Sequence, residues 1–222
     1  MKTQIAYYLL LLSVLCLQFN CSEPSSDSTD KQMSNVVLAK DMGNTASSEA
    51  LHTAMRRLWE DHIIWTRNVV FCIADNLPGT EEAVNRLMKN QDDIGRVIKL
   101  YYGADAGNKI TALLHQHITV ATEVIKAAKA NNKPMLDNAN ARWTANADSI
   151  AAFLSSANPN LQFSDVKEMM KKHLQLTTDE AIARIKKDYN NDRDAFEKVH
   201  GEILSMADML SDGIVKQFPE KF

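Results

Sequence analysis

The chain has 222 residues and a formal net charge of −3, and its 7 glycines and 5 prolines are few for its length. So few helix breakers, together with a hydrophobic content of 45%, favour a helical globular domain with one core. The small net charge, with basic residues scattered among acids, argues against a nucleic-acid-binding protein, which needs a basic surface.

The segment 1–21 has the order of a secretory signal, in which a basic residue precedes an apolar run from Ile5 to Phe19. The run is short for a membrane span. Beyond Cys21 the composition changes to serine, aspartate and threonine, and we interpret 22–50 as a flexible linker. This order resembles a bacterial lipoprotein leader, which implies export to the cell envelope and acylation of Cys21. The acyl chain would anchor the protein to a membrane without spanning it.

From about residue 51 to residue 219, apolar residues recur with the period of an α-helix. Turn residues divide this domain into the predicted helices 51–75, 80–102, 107–130, 134–156, 164 onward and 190–218. A capping-box pattern predicts a break in the fifth of these near Thr177. Because the connections are short, neighbouring helices should be antiparallel. We therefore predict an all-α fold, an antiparallel up-and-down bundle of five to six helices.

Three motifs in this domain resemble a family of small exported bacterial helical-bundle proteins of uncharacterised activity. They are WEDHIIWTR at 59–67, NQDDIG at 90–95 with YYG at 101–103, and MADMLSDGIVKQFP at 206–219. The resemblance covers nearly all of 51–219 and implies a helical bundle, but it implies no activity.

Motifs of common catalytic sites are absent from the sequence, including the phosphate-binding loop, the nucleophile elbow and the Glu-x-x-His pair of di-iron bundles. The histidines carry more information. Four of the six lie on core-facing stripes of different predicted helices, namely His62, His117, His173 and His200. His52 instead starts a helix, and His115 points away from the stripe of its helix.

Three of these histidines should share one height in the bundle. His62, His117 and His173 each lie about 10 residues, or about 15 Å, after the start of a helix that runs in the same direction. On the descending helices the same height falls near four polar residues, which are Asp92, Gln91, Asn146 and Asp208. His200 should lie about 12 Å higher. The sequence thus predicts a polar layer inside an apolar bundle.

Two interpretations of this layer compete, with a small-molecule pocket as a third. In the first, neutral histidines bond to Asp92, Gln91 and Asn146 and fix the register of the helices. In the second, the three imidazoles bind a transition metal such as Zn, Fe or Cu, with Asp92, Asp208 or water completing the ligand shell. We interpret the methionines at 169, 170, 206 and 209 as packing rather than copper ligands.

Two functions follow from this sequence. The first is a non-enzymatic envelope protein, anchored to the membrane by its acyl chain, that binds an envelope protein or a small ligand. The second is a metal-binding bundle, redox-active or oxygen-related, built on the three histidines. A hydrolytic zinc site is a weaker third, because only Asp92 or Asp208 could serve as its general base.

Overall fold

A computed structural model describes residues 47–222. The predicted leader with Cys21, and the predicted linker as far as residue 46, lie outside these residues. The described part of the chain is built from five α-helices and a final 3-10 turn, with no strand among residues 47–222. The helices are α1 (Ser48–Asp75), α2 (Thr80–Lys129), α3 (Lys133–Ala157), α4 (Phe163–Ile185) and α5 (Tyr189–Gln217). The first helix thus begins inside the predicted linker.

The second helix is broken into two arms at Gly103. This residue has φ 85° and ψ 174°, a backbone conformation open to glycine and strained for other residues. The two arms pack closely against each other at Gly95 and Gly107. A Cβ atom on Gly107 would lie only 2.9 Å from the carbonyl oxygen of Gly95. The two glycines therefore allow the backbones to approach more closely than side chains would. With this break, the five helices supply the six antiparallel arms of the bundle.

The helix ends follow from local side-chain chemistry. The Ser47 side chain accepts a hydrogen bond from the backbone N–H of Ala50 and caps α1, which ends at Asn76 in the left-handed conformation. Asn132 and Asp188 cap α3 and α5 in the same way as Ser47. The predicted break near Thr177 is wrong, because α4 continues through it with Thr177 buried in the core. Packing of the buried face outweighs the local capping signal there.

The bundle closes on itself, since consecutive helices pack against each other and α1 also packs against α5. The prediction of an all-α antiparallel bundle is confirmed. A cluster that includes Val70, Leu87 and Ile125 fills one end of the core, and the histidine layer lies between it and a second apolar region. None of the helices within 47–222 has the length and apolar character needed to cross a membrane.

Candidate functional site

The structure brings the three predicted histidines together in the middle of the bundle. His62 on α1, His117 on the second arm of α2 and His173 on α4 are only 2%, 3% and 3% exposed. The ring centroid of His173 lies 5.8 Å from that of His62 and 6.3 Å from that of His117. The predicted shared layer is therefore confirmed, and it is sealed from solvent.

Each imidazole is held by a polar side chain on the helix that follows it. The Nδ1 atom of His62 lies 3.1 Å from Gln91 Nε2, and that of His117 lies 2.8 Å from Asn146 Oδ1. For His173 the partner atom is a carboxylate oxygen of Glu202, at 3.0 Å. In all three pairs the partner comes 29 residues after the histidine.

This equal spacing shows that the layer is built from three equivalent helical hairpins. The histidines lie 55 and 56 residues apart along the chain, and each occupies the first helix of a hairpin whose second helix carries its partner. Three residues before each histidine is an apolar side chain that faces the same central cavity; these are Trp59, Leu114 and Met170. The chain thus repeats one packing unit three times, with a different polar partner in each.

His117 is fixed as a neutral imidazole. The indole nitrogen of Trp143 lies 3.2 Å from His117 Nε2, and an indole N–H can only donate a hydrogen bond. Nε2 therefore accepts, and the proton of the ring lies on Nδ1, which donates to Asn146 Oδ1. Burial, followed by the neighbouring charge of His173, lowers the pKa of His117 to about 3. The ring stays uncharged at any physiological pH.

His62 is also held in its neutral form, although its contacts differ. The amide nitrogen of Gln91 donates to the backbone carbonyl of Leu87 at 2.9 Å and to Asn90 Oδ1 at 3.0 Å, and it also lies beside His62 Nδ1. An amide nitrogen cannot accept a hydrogen bond, so Nδ1 carries no proton and the ring proton lies on Nε2. Burial, and then the two neighbouring histidines, holds the pKa of His62 well below its ordinary value.

A small enclosed cavity lies against this layer. Its volume is about 20 Å³, and apolar side chains share its lining with the three histidines. On this measure a single water needs about 10–15 Å³, so the cavity can hold one water or one ion. Pockets for organic ligands are typically about 300–1,000 Å³. The structure therefore gives no support to the small-molecule pocket at this place.

The layer does not form a completed metal site. Among residues 47–222, no group of three or more His, Cys, Asp or Glu side chains is arranged to hold a metal ion. At His117, Trp143 and Asn146 engage both ring nitrogens. The ring would have to release Trp143 before its Nε2 could bind a metal.

The structure does not bring the two predicted aspartates to the layer. Asp92 is 46% exposed and lies 2.9 Å from His115, whereas Asp208 is 38% exposed and pairs with Arg56 at 2.5 Å. Asp92 follows Gln91 directly, so its side chain points about 100° away from the buried face. Asp208 comes six residues after Glu202, which moves it about 9 Å along the helix. Gln91 and Asn146, in contrast, lie in the layer.

No protein-family model matches this chain, and neither a curated protein nor a solved structure is similar to it. The resemblance of its motifs to an exported bacterial family stays a prediction.

His200 was predicted on a core-facing stripe, and this is wrong. Its side chain is 33% exposed, and its Nε2 lies 2.9 Å from a carboxylate oxygen of Glu60. The ring stacks on Phe196, with centroids 5.8 Å apart. His200 lies at the margin of the buried face of its helix. There one side of the imidazole packs on Phe196, while the ring nitrogens reach solvent.

A buried ionic cluster next to the layer was missed by sequence reasoning. One Arg67 nitrogen lies 2.5 Å from Glu180 and 2.9 Å from Asp192, and these two acids are 0% and 2% exposed. Arg184 also pairs with Asp192. Burial raises the pKa of Glu180 to about 7, although Arg67 opposes the shift. Glu180 lies seven residues after His173, so helical spacing alone could have placed it on the buried face.

Proposed function

We propose that this protein is an exported, lipid-anchored helical bundle that acts in the cell envelope by binding, without catalysis. The leader with Cys21 supports export and anchoring. The size of the interior supports binding without catalysis, since the central cavity of about 20 Å³ has no room for a substrate. A partner larger than an ion must therefore contact the outer surface.

The outer surface offers apolar side chains for such contacts. Leu100 is 51% exposed, Phe163 46% and Tyr189 57%. Aromatic residues are enriched where proteins bind one another. These three positions are the places at which a partner should first be sought.

Two experiments test this proposal. Cells that make the full chain are labelled with a radioactive fatty acid, and the label should be present on the protein and absent from the Cys21→Ser variant. A photo-crosslinking amino acid is then placed at Leu100, Phe163 or Tyr189, with the exposed Lys171 as the matched control position. Discrete adducts from the apolar positions alone are expected. A chain without label, or without position-specific adducts, would contradict the proposal.

A second candidate function, metal binding, is favoured by a separate observation. Three imidazoles converge around an ion-sized cavity, and at His117 and His173 an oxygen of the next helix lies beside Nδ1, as acceptor groups behind metal ligands do. To bind an ion through Nε2, His62 would have to move its ring proton to Nδ1 and His117 would have to release Trp143, whereas His173 already uses Nδ1 for Glu202. The test is the metal content of the full chain purified without chelators or a histidine tag. Near-stoichiometric Zn, Fe or Cu, lost in His62→Ala and in His173→Ala, would support this function.

A further inference from the structure

The walls of the central cavity suit an uncharged, apolar occupant. Apart from three imidazoles and one indole, the side chains around the cavity are those of isoleucine, leucine and methionine. A water molecule held inside a protein typically needs about 2–4 polar partners, whereas enclosed apolar cavities stay dry and take up apolar molecules. The composition of the lining therefore favours an apolar molecule over water.

The hydrogen bonds of the layer hold its polar atoms towards other helices. Both ring nitrogens of His117 have a partner, in Trp143 and Asn146. Nδ1 of each of the other two imidazoles also lies beside a side chain of the next helix. Burial lowers the pKa of His117 and of His62, so both rings are neutral. An apolar molecule could enter the cavity without moving a ring proton and without releasing Trp143.

The size of the cavity limits its occupant to very few atoms. Its volume of about 20 Å³ is somewhat larger than the roughly 10–15 Å³ that one water requires. A diatomic gas molecule is only slightly larger than water, so one such molecule fits. Organic ligands need a much larger pocket.

Three methionines give this closed cavity an adaptable wall. Met55, Met170 and Met206 line it and are 0%, 5% and 2% exposed. Methionine has three rotatable bonds and adjusts to irregular spaces, and core side chains change rotamer even in a well-packed interior. A gas molecule without polar groups also loses no hydrogen bonds when it leaves water. Such a molecule can therefore reach a cavity that is sealed in the average structure.

We propose that the central cavity is a binding site for one molecule of an uncharged, apolar diatomic gas such as dioxygen. The hydrogen-bonded histidine layer forms a rigid part of its wall. The methionines form the adaptable part. This site depends neither on a partner at the outer surface nor on a bound metal, so it goes beyond both functions proposed above.

The test uses dioxygen itself, which is paramagnetic and speeds the nuclear relaxation of methyl groups close to it. The full chain, purified in detergent with labelled methionine, isoleucine and leucine methyl groups, is compared by NMR under oxygen and under nitrogen. Relaxation at Met55 and Ile150, which line the cavity, should increase several times more than at Leu87 and Ile125. These two controls are similarly buried in the separate core cluster. Equal increases at both sets of methyl groups would overturn the proposal.

A variant that fills the cavity shows whether the effect belongs to this site. Leu114→Phe adds a bulkier side chain to the lining at a cost of about 1–3 kcal/mol, and it should reduce the increase at Ile150 to the control level. Ile118→Leu, a volume-conserving change in the separate cluster, should leave that increase unaltered. A folded Leu114→Phe variant that keeps the full effect would overturn the proposal.

A competition experiment on the wild type keeps the test decisive if Leu114→Phe does not fold. Argon is apolar, uncharged and diamagnetic, so excess argon should displace dioxygen from a single site and reduce the increase at Met55 and Ile150. No reduction under excess argon would overturn the proposal. Nuclear Overhauser contacts between water and these methyl groups would identify water as the occupant and would overturn it as well.

Discussion

Acid should destabilise the bundle through His117. Burial, and then the charge of His173, lowers the pKa of His117 from 6.5 to about 3. Because the folded-state pKa lies below the unfolded value, the contribution of the neutral ring to stability is complete above about pH 6.5 and is lost as the pH falls towards about 3. Each pH unit in this window costs about 1.4 kcal/mol, so a fall from about pH 6.5 to about pH 4.5 costs about 3 kcal/mol. His62 acts in the same direction.

The assay is urea unfolding followed by helical circular dichroism at a series of pH values, with the wild type compared with His117→Gln. Glutamine at this position does not titrate, so the wild type should lose about 3 kcal/mol more than the variant over the two pH units. Glu180 titrates in the same range in both proteins, and its effect cancels in the difference. His115→Gln, at a site outside the layer, should follow the wild type. Parallel pH profiles for the wild type and His117→Gln would refute the reasoning.

Three further predictions concern other parts of the bundle. The raised pKa of Glu180 makes its ionisation costly in the folded state, so the wild type should lose about 3 kcal/mol of unfolding free energy as the pH rises from about 4.5 to about 7. Glu180→Gln should abolish this loss, which urea unfolding at both pH values measures. Gly107→Ala should destabilise the fold by about 1–3 kcal/mol, because the new Cβ would lie 2.6 Å from the Cβ of Lys99. Gly201→Ala is the control, since its Cβ would meet no atom within 4 Å, and it should stabilise the helix by about 0.5–1 kcal/mol. Trp143→Phe removes the indole N–H that donates to Nε2 of His117, and it should lower the free energy of unfolding by about 1–3 kcal/mol in the same assay.

Local signals explain how much of the fold the sequence could predict. The left-handed turn at Asn76 and the glycine at 103 end helical arms through backbone geometry that is visible in the residue types themselves. The height of the histidines also follows from helix geometry, since a rise of about 1.5 Å per residue places equal offsets in one layer. The predicted helix break at Thr177 was wrong because it relied on a local signal alone. Its capping signal is local, but contacts with other helices decide the outcome.

The charged partners could not be predicted in the same way. Arg67 pairs with acids 113 and 125 residues further along the chain, and no short-range pattern specifies such a contact. Glu202 was missed because a glutamate on an amphipathic helix is usually solvated. Its constant spacing of 29 residues from a histidine would have revealed it, since the other two pairs show the same spacing. The useful signal was a repeat, which becomes visible only when the three hairpins are compared with one another.

The differences among the three hairpins bear directly on function. If the layer served only to fix the register of the helices, three neutral amides like Gln91 and Asn146 would satisfy the three imidazoles at little cost. The third hairpin instead places a carboxylate at Glu202, 4% exposed, and removing a carboxylate from water costs several kcal/mol unless a positive charge balances it. Among residues 47–222, the hydrogen-bond partner of this carboxylate is His173, whose Nδ1 lies 3.0 Å from it. The carboxylate is therefore the partner in the layer whose replacement by a neutral amide tests for a bound ion, and Glu202→Gln makes that replacement. The metal content of the purified full chain should fall in this variant if the layer binds an ion and should equal that of the wild type if the layer is structural.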